Sequence, residues 1–170
     1  MLAFLVKACV TALKQFPEFN ASLDKSGENL VVKKYFHIGV AVDTPDGLVV
    51  PVIRDADRKG VFDLAKELGD ISKLARDRKL KPGDMQGGTF SISSLGGIGG
   101  TAFTPIINLP EAAILGVGSI TPQPVVREGQ VVVRQMMVLS LVFDHRLVDG
   151  APAARFLQEL IREIEGFTVP

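Results

Sequence analysis

The sequence of 170 residues predicts an α+β fold in which a mixed β-sheet is flanked by helices. Three stretches, at the start, in the middle and at the end of the chain, place apolar residues at helical spacing. Between them lie short apolar or alternating runs bounded by glycine and proline, a pattern typical of strands. The length suits a single domain over residues 1–170, with enough interior for a core.

The three helices are predicted at residues 2–15, 60–79 and about 151–165. Pro17 ends the first of them because proline cannot continue a helix. The apolar stripe of the second helix is expected to face the sheet, and its members are Leu64, Leu68, Ile71 and Leu74. The last helix offers the core Ala153, Phe156, Leu157, Leu160 and Ile164.

Strands are predicted at residues 29–33, 35–42, 48–53, 89–93, 112–117 and 130–143. In the second of these, alternate residues share one apolar face, namely Phe36, Ile38, Val40 and Val42. The turn Thr44-Pro45-Asp46-Gly47 should join the second and third strands as a hairpin. A further turn is predicted at Glu128-Gly129, just before the long final strand.

Charge and composition exclude several kinds of partner. Lys plus Arg and Asp plus Glu both number 19, and this balance argues against nucleic acid as a partner. The apolar run at the start of the chain is interrupted by Lys7 and is too short to span a membrane, so we expect no membrane partner. Cys9 is the only cysteine, which favours a reducing compartment and a small buried hydrophobe over a nucleophile. No metal site is predicted.

The chain contains two histidines, and histidine is the side chain whose ordinary pKa lies near neutrality. His37 lies on the partly polar face of a predicted strand, where a structural role accounts for it. His145 lies in the run DHRLVDG at 144–150, between the last strand and the last helix. Loops at strand ends present reactive groups, so His145 is either a base or a surface residue paired with Asp144 or Asp149.

For several other polar residues, the local sequence pattern alone is compatible with either a structural or a functional role. Asp149 precedes Gly150-Ala151-Pro152 and could serve only as the N-cap of the last helix. Arg146 could only neutralise its acidic neighbours, while three serines could be ordinary strand-end residues: Ser91, Ser93 and Ser94.

Taken together, these segments resemble one family. DHRLVDG at 144–150 is similar to the DHRxxDG signature of the dihydrolipoyl acyltransferases of 2-oxo acid dehydrogenase complexes. Four further segments resemble the same family and follow one another in the order that they have in its members: IGVAVDTPDGLVVP at 38–51, QGGTFSISSLG at 86–96, GGTAFTPIIN at 99–108 and AILG at 113–116. The resemblance is nearest to the acetyltransferases of bacterial pyruvate dehydrogenase complexes. It implies the fold of the chloramphenicol acetyltransferases, which carry an HxxxDG variant of the motif.

The resemblance implies transfer of an acyl group between dihydrolipoyl groups and coenzyme A, and its nearest members imply that this group is acetyl. His145 would act as general base on a thiol, Ser93 would donate a hydrogen bond to the oxyanion, and Asp149 would orient the site without moving a proton. No acyl-enzyme is required. Contacts with coenzyme A are implied for Asp43, Ser94, Gly118 and Ile120, although Asp43 could equally be a turn residue.

The resemblance also implies a homotrimer whose trimers can assemble into a larger polyhedral core. His145 would then face Ser93 of another subunit. The family's first core segment, its lipoyl domain with the modified lysine and its peripheral subunit-binding domain are expected to be missing from residues 1–170. Those domains would supply the lipoyl group and recruit the 2-oxo acid dehydrogenase and dihydrolipoyl dehydrogenase components. Residues 165–170 would dock between trimers, in the bacterial cytoplasm or, in a eukaryote, the mitochondrial matrix.

Two alternatives to this function stay open from the sequence. One is a coenzyme A-dependent acetyltransferase that uses the same His145 on the hydroxyl of a small molecule. The other is a truncated, catalytically impaired assembly core that holds partners without turnover.

Overall fold

Three long helices lie on one side of a central sheet in the computed structural model, which describes residues 1–166. They are α1 (Leu2–Gln15), α2 (Val61–Arg76) and α3 (Gly150–Glu165), as predicted to within a few residues. The stripe of α2 is only partly buried, because Leu74 is exposed near the end of the helix. None of the helices in this range is long and apolar enough to cross a membrane.

The central sheet is mixed, which confirms the predicted α+β class. It has five strands in the order β11-β8-β7-β3-β6, where β3, β7 and β8 are parallel and the two edge strands run antiparallel to them. Its members are β3 (Ile38–Val40), β6 (Val52–Ile53), β7 (Phe90–Ser94), β8 (Ala113–Val117) and β11 (Leu139–Phe143). The other strands form three hairpins: β1 (Ala21–Leu23) with β2 (Leu30–Val32), β4 (Val42–Thr44) with β5 (Gly47–Val49), and β9 (Thr121–Arg127) with β10 (Gln130–Met136).

Two predicted strands are each divided between the sheet and a hairpin. The strand predicted at 35–42 breaks at Ala41 into β3 and β4, and the one predicted at 48–53 breaks before Val52 into β5 and β6. Pro51 lies at the second break, where it has no backbone N–H to give to a strand partner. The predicted turn at 44–47 is confirmed, since β4 and β5 pair across it.

The prediction of one long strand at 130–143 was wrong. Residues 137 and 138 separate β10, which pairs only with β9, from β11, which joins the central sheet. Strand β9 was missed because Pro122 and Pro124 lie within it, and proline is confined to edge or irregular strand positions. The turn predicted at Glu128-Gly129 is confirmed, and both residues have positive φ values, as a tight hairpin turn of two residues requires.

The core lies between the sheet and the three helices. Alternate residues of each central strand point toward the helices, among them Ile38, Phe90, Ile92 and Leu115, which are fully buried. Phe156 of α3 stacks on Phe19 with ring centroids 4.4 Å apart. Cys9 is also fully buried, and burial raises the pKa of its thiol well above the ordinary range, so the structural interpretation of Cys9 is confirmed.

Candidate active site

The loop between β11 and α3 is built around Asp144. Its backbone N–H donates to the carbonyl of Ala112 at 2.8 Å, and its own carbonyl accepts from Leu147 and Val148. Its carboxylate accepts three side-chain hydrogen bonds from Arg146: Nε to Oδ1 at 3.0 Å, Nε to Oδ2 at 3.2 Å and Nη2 to Oδ2 at 2.6 Å. These bonds to Arg146 lower the pKa of Asp144. The partner of Asp144 is therefore Arg146, and the predicted alternative in which Asp144 pairs with His145 was wrong.

His145 projects from this loop. Its side chain is 71% exposed, and its Nδ1 lies 3.8 Å from Oδ1 of Asp149. Its ring centroid is 5.5 Å from that of Phe143. An exposed pair at this distance contributes little to stability, so the imidazole is presented at the surface without being held in a core.

Asp149 occupies the N-cap position of α3, but its side chain does not cap the helix. Its carbonyl accepts from Ala153, as the backbone of an N-cap residue does. The carboxylate makes no capping hydrogen bond within the described chain and is 85% exposed, on the same side as His145. The alternative that Asp149 is the N-cap residue is therefore confirmed for its position, although its side chain makes no capping hydrogen bond.

Ser93 lies in β7 on the face of the sheet that points away from the helices. Phe90 and Ile92 point toward the helices, so alternation places Ser91 and Ser93 on the other face. Ser93 is partly exposed, whereas Ser91 is fully buried. Ser94, at the end of the strand, is exposed and accepts a hydrogen bond from the N–H of Gly96 at 3.3 Å.

The sheet register keeps His145 and Ser93 of one chain apart. Ser93 pairs with Gly116, and Gly116 pairs with Ser140 of β11. Because β11 runs antiparallel to β7 and β8, it carries the chain from the row of Ser93 toward the opposite end of the sheet. Three residues along β11 and two strand spacings across the sheet place Phe143 about 14 Å from Ser93, and His145 lies beyond Phe143.

Three of the four predicted coenzyme A contacts line one cavity of about 320 Å³. They are Ser94, Gly118 and Ile120, and the cavity is completed by Met1, Leu2, Leu5, Gly96, Val117 and Met137. Asp43 does not line this cavity. It lies in β4 opposite Leu48, and the turn after it is closed by the Thr44 hydroxyl, which donates to the carbonyl of Gly47 at 2.7 Å.

Gly118 has a backbone reason to be glycine. Its N–H donates to the carbonyl of Val138, and a Cβ at this position would collide with the carbonyl of Thr101. We expect Gly118→Ala to lower the free energy of unfolding by about 1–3 kcal/mol, measured from urea unfolding, because backbone atoms must move. Gly69→Ala is the matched control, since a Cβ there meets no atom within 4 Å and should leave stability unchanged or higher. Equal effects of the two changes would contradict this account.

His37 has a structural role, as predicted. Its side chain is 13% exposed, and its Nδ1 accepts a hydrogen bond of 3.0 Å from the N–H of Asp55. Asp55 has a positive φ of 47°, a conformation that is uncommon outside glycine, so this bond helps to fix an unusual turn.

Glu111 was missed by sequence reasoning. It lies just before β8, is only 3% exposed, and its Oε1 accepts a hydrogen bond of 3.3 Å from the side chain of Asn108. Burial raises its pKa to about 7, although Ser91 and Asn108 oppose that rise. A single glutamate ahead of an apolar strand carries no signal of burial in a sequence. Among residues 1–166 no group of three or more His, Cys, Asp or Glu side chains could hold a metal ion.

Known proteins share this fold and these segments. The sequence profile of the catalytic domain of the 2-oxoacid dehydrogenases acyltransferase family matches residues 1–169. The chain therefore belongs to this family. It is 64% identical over 156 residues to the dihydrolipoyllysine-residue acetyltransferase component of the pyruvate dehydrogenase complex of Cupriavidus necator. That match covers 92% of this chain but only 28% of the relative's length.

Solved structures of similar proteins also support the assignment to this family. The chain superposes on dihydrolipoamide acetyltransferase of Azotobacter vinelandii with a TM-score of 0.91 at 53% sequence identity. That structure was solved to examine the roles of a serine, a histidine and an asparagine in the catalytic mechanism of the Azotobacter enzyme. The same scores hold for the cubic core of the pyruvate dehydrogenase multienzyme complex, and each match covers 96% of this chain and 70% of the other. A chloramphenicol acetyltransferase matches with a TM-score of 0.59 at 16% identity, over 95% of this chain and 76% of the other. This confirms the predicted fold.

Proposed function

We propose that the chain transfers an acetyl group between a dihydrolipoyl thiol and coenzyme A, with His145 as the general base. The observation that carries this proposal is the position of His145, exposed on a hydrogen-bonded loop, in a chain of this acyltransferase family. The names of the relatives support acetyl as the acyl group. The match to chloramphenicol acetyltransferase supports no second activity, because at 16% identity it speaks only for the fold.

We assign the oxyanion donor to Ser93 and an orienting role to Asp149. In the Azotobacter vinelandii enzyme the serine under study precedes the histidine by 52 positions, as Ser93 precedes His145. The asparagine under study follows that histidine by four positions, as Asp149 follows His145. An asparagine at the matching position supports a role for Asp149 in orientation, since an amide cannot accept a proton from the histidine.

The site requires two chains. A base and an oxyanion donor that act on one carbonyl must both lie about 3 Å from the reacting atoms. The strand register argues against such a pair within one chain, because it places Phe143, two residues before His145, about 14 Å from Ser93. We therefore assign each site to His145 of one subunit and Ser93 of another. A homotrimer satisfies this requirement, and assembly of trimers into a polyhedral core would follow the cubic core to which the chain is similar.

In this proposal the chemistry is direct exchange of a thioester. The imidazole of His145 takes the proton of the attacking thiol, since the thiolate is the nucleophile. A new carbon–sulfur bond forms at the acetyl carbonyl, and the Ser93 hydroxyl donates a hydrogen bond to the resulting oxyanion. The old carbon–sulfur bond then breaks, and the leaving thiolate receives the proton from His145. No covalent bond to the protein is formed.

The cavity lined by Ser94, Gly118 and Ile120 is our candidate for part of the coenzyme A site. Its mostly apolar walls suit an extended, uncharged chain segment, and the hydroxyl of Ser94 supplies a polar group at one end. Asp43 lies outside this cavity, and a contact between Asp43 and coenzyme A remains a separate proposal. The lipoyl group would be brought by a lipoyl domain outside residues 1–170, and a separate peripheral subunit-binding domain would recruit the dehydrogenase components. We place the protein in the cytoplasm, or in the mitochondrial matrix if it is eukaryotic.

Asp149→Asn tests the orienting role. We expect kcat to fall by less than about fivefold, because the exposed pair with His145 contributes little through charge. Asp149→Ala should cost more, because it removes the oxygen atom that faces Nδ1. Steady-state rates of acetyl transfer would measure both. A loss of a thousandfold in Asp149→Asn would mean that the carboxylate moves a proton.

The proposal is tested with purified chain, acetyl-coenzyme A and dihydrolipoamide. We expect release of coenzyme A that depends on dihydrolipoamide, from a species that sediments as a trimer or larger. A small hydroxyl acceptor such as chloramphenicol should not substitute for the dithiol. Turnover of the hydroxyl compound alone would replace the proposed acceptor. An assembled particle without turnover on either acceptor would support the inactive assembly core instead.

A further inference from the structure

Glu111 lies where the His145 loop meets the sheet. A cavity of about 170 Å³ is lined by Glu111, by Asp144, Arg146 and Leu147 of the loop, and by three apolar residues: Leu23, Leu109 and Pro110. The residue next to Glu111, Ala112, accepts the backbone hydrogen bond from Asp144 that fixes the loop. Glu111 is therefore next in sequence to the point at which the loop is bonded to the sheet.

The surroundings of Glu111 are unsuited to a charged carboxylate. Its Oε2 and the hydroxyl of fully buried Ser91 both lack a hydrogen-bond partner of good geometry among residues 1–166. Gly88 packs directly against the carboxyl, and the side chain of Val52 lies beside the same glycine. The Ser91 hydroxyl can accept a hydrogen bond from the protonated carboxyl or donate one to the ionised form, so it is burial that favours the neutral carboxyl.

In the described part of the chain, the two arginines near Glu111 are both bonded to other groups. Arg146, which also lines the cavity, is held by three hydrogen bonds that its side chain gives to the Asp144 carboxylate. Arg54, which lies beside Gly87, donates instead to the carbonyls of Gly83 and Gln86. Among the described residues that line the cavity, Asp144 also carries a carboxylate, which repels a second negative charge.

We propose that Glu111 is a positioning residue for His145: its neutral carboxyl keeps the His145 loop docked on the sheet, and its ionisation opens the loop. The role of His145 in this inference rests on the proposed function, whereas the opening of the loop does not. Opening lets Glu111 ionise in water at its ordinary pKa, so a higher pH favours the open loop.

The sign and size of the effect follow from the raised pKa. While the loop is docked, Glu111 keeps its proton at pH values between the ordinary pKa of 4.5 and the pKa of about 7 that the carboxyl has in the folded chain. Across this window the opening equilibrium should rise about tenfold per pH unit, or about 300-fold in all. Below the window Glu111 is neutral whether the loop is open or closed, and above it the equilibrium no longer depends on pH.

Hydrogen exchange tests the inference on the full chain. The amides of Asp144, Leu147 and Val148 are hydrogen bonded in the loop, and exchange of a peptide that contains them reports its opening. After correction for intrinsic rates, their protection should fall across pH 4.5–7 in the wild type and stay level in Glu111→Gln. Glu28→Gln, the same change at an exposed glutamate, should behave like the wild type. Equal slopes in the wild type and Glu111→Gln would overturn the inference.

Acetyl transfer gives a second readout. Glu111→Ala should lower kcat by at least about tenfold with little change in KM for coenzyme A, because it displaces the base without touching the substrate cavity. Glu111→Gln should restore most of kcat. An unchanged kcat in Glu111→Ala would overturn the positioning role, and the exchange comparison stands even if that variant fails to fold. Exchange that depends on Glu111 in a chain without transfer activity would retain the loop opening and reject the proposed function.

Discussion

His145→Asn should lower kcat for acetyl transfer by about 10²- to 10⁴-fold, the range that a general base contributes. Asparagine keeps a polar group at position 145 but cannot take a proton from a thiol. KM for coenzyme A should change little, because His145 does not line the cavity that holds Ser94, Gly118 and Ile120. The rates are measured with acetyl-coenzyme A and dihydrolipoamide under saturating conditions.

The second histidine provides the control for this prediction. His37→Asn makes the same substitution and keeps an oxygen near the position of Nδ1, which accepts the hydrogen bond from Asp55. The kcat of this variant should stay within about threefold of the wild type, because His37 has a structural role and takes no part in the proposed chemistry. A variant at His145 as active as the one at His37 would show that the base is a different group.

Ser93→Ala should lower kcat by about 10²- to 10³-fold, as expected when one oxyanion donor is lost. The backbone of β7 should not change, since alanine fits the partly exposed position that Ser93 occupies. Ser94→Ala is the control on the neighbouring residue. It should affect KM for coenzyme A more than kcat, because Ser94 lines the cavity.

Mixing the two inactive variants tests whether the site is shared. Chains with His145→Asn and chains with Ser93→Ala, refolded together in equal amounts, should recover up to about a quarter of wild-type activity if subunits combine at random. Such sites take His145 from one variant and Ser93 from the other. If both groups acted within one chain, no mixture could contain an intact site, and the activity would stay at the level of the separate variants.

Periodicity predicted the helices because their burial is one-sided and regular. The stripe of α2 and the alternation around Ile38 and Val40 both translate directly into a face that packs. The chain from 130 to 143 shows where this fails. An apolar run does not state which sheet it joins, so β10 and β11 look continuous although residues 137 and 138 carry the chain from one sheet to another.

The residues of the site could be predicted, but their arrangement could not. His145, Ser93 and Asp149 follow from short motifs and their resemblance to a family, and their roles stay predictions. That His145 and Ser93 lie at opposite ends of the sheet is a property of strand register, which depends on partners distant in sequence. Burial of Glu111 is likewise decided by Gly88 and Asn108, which pack against it only in the folded chain.

The separation of His145 from Ser93 also determines how a defective chain acts on its neighbours. If the site is shared as proposed, each subunit lends its imidazole to one site and its hydroxyl to another, so the number of sites equals the number of chains, and every chain belongs to two of them. A subunit that lacks both groups silences two sites at once. In a random mixture, activity would then fall with the square of the intact fraction, and half-substituted particles would retain about a quarter of it. A defective chain of this kind therefore also inactivates sites of the intact chains with which it assembles. In an enzyme with a complete site in each chain, a defective chain would lose only its own site.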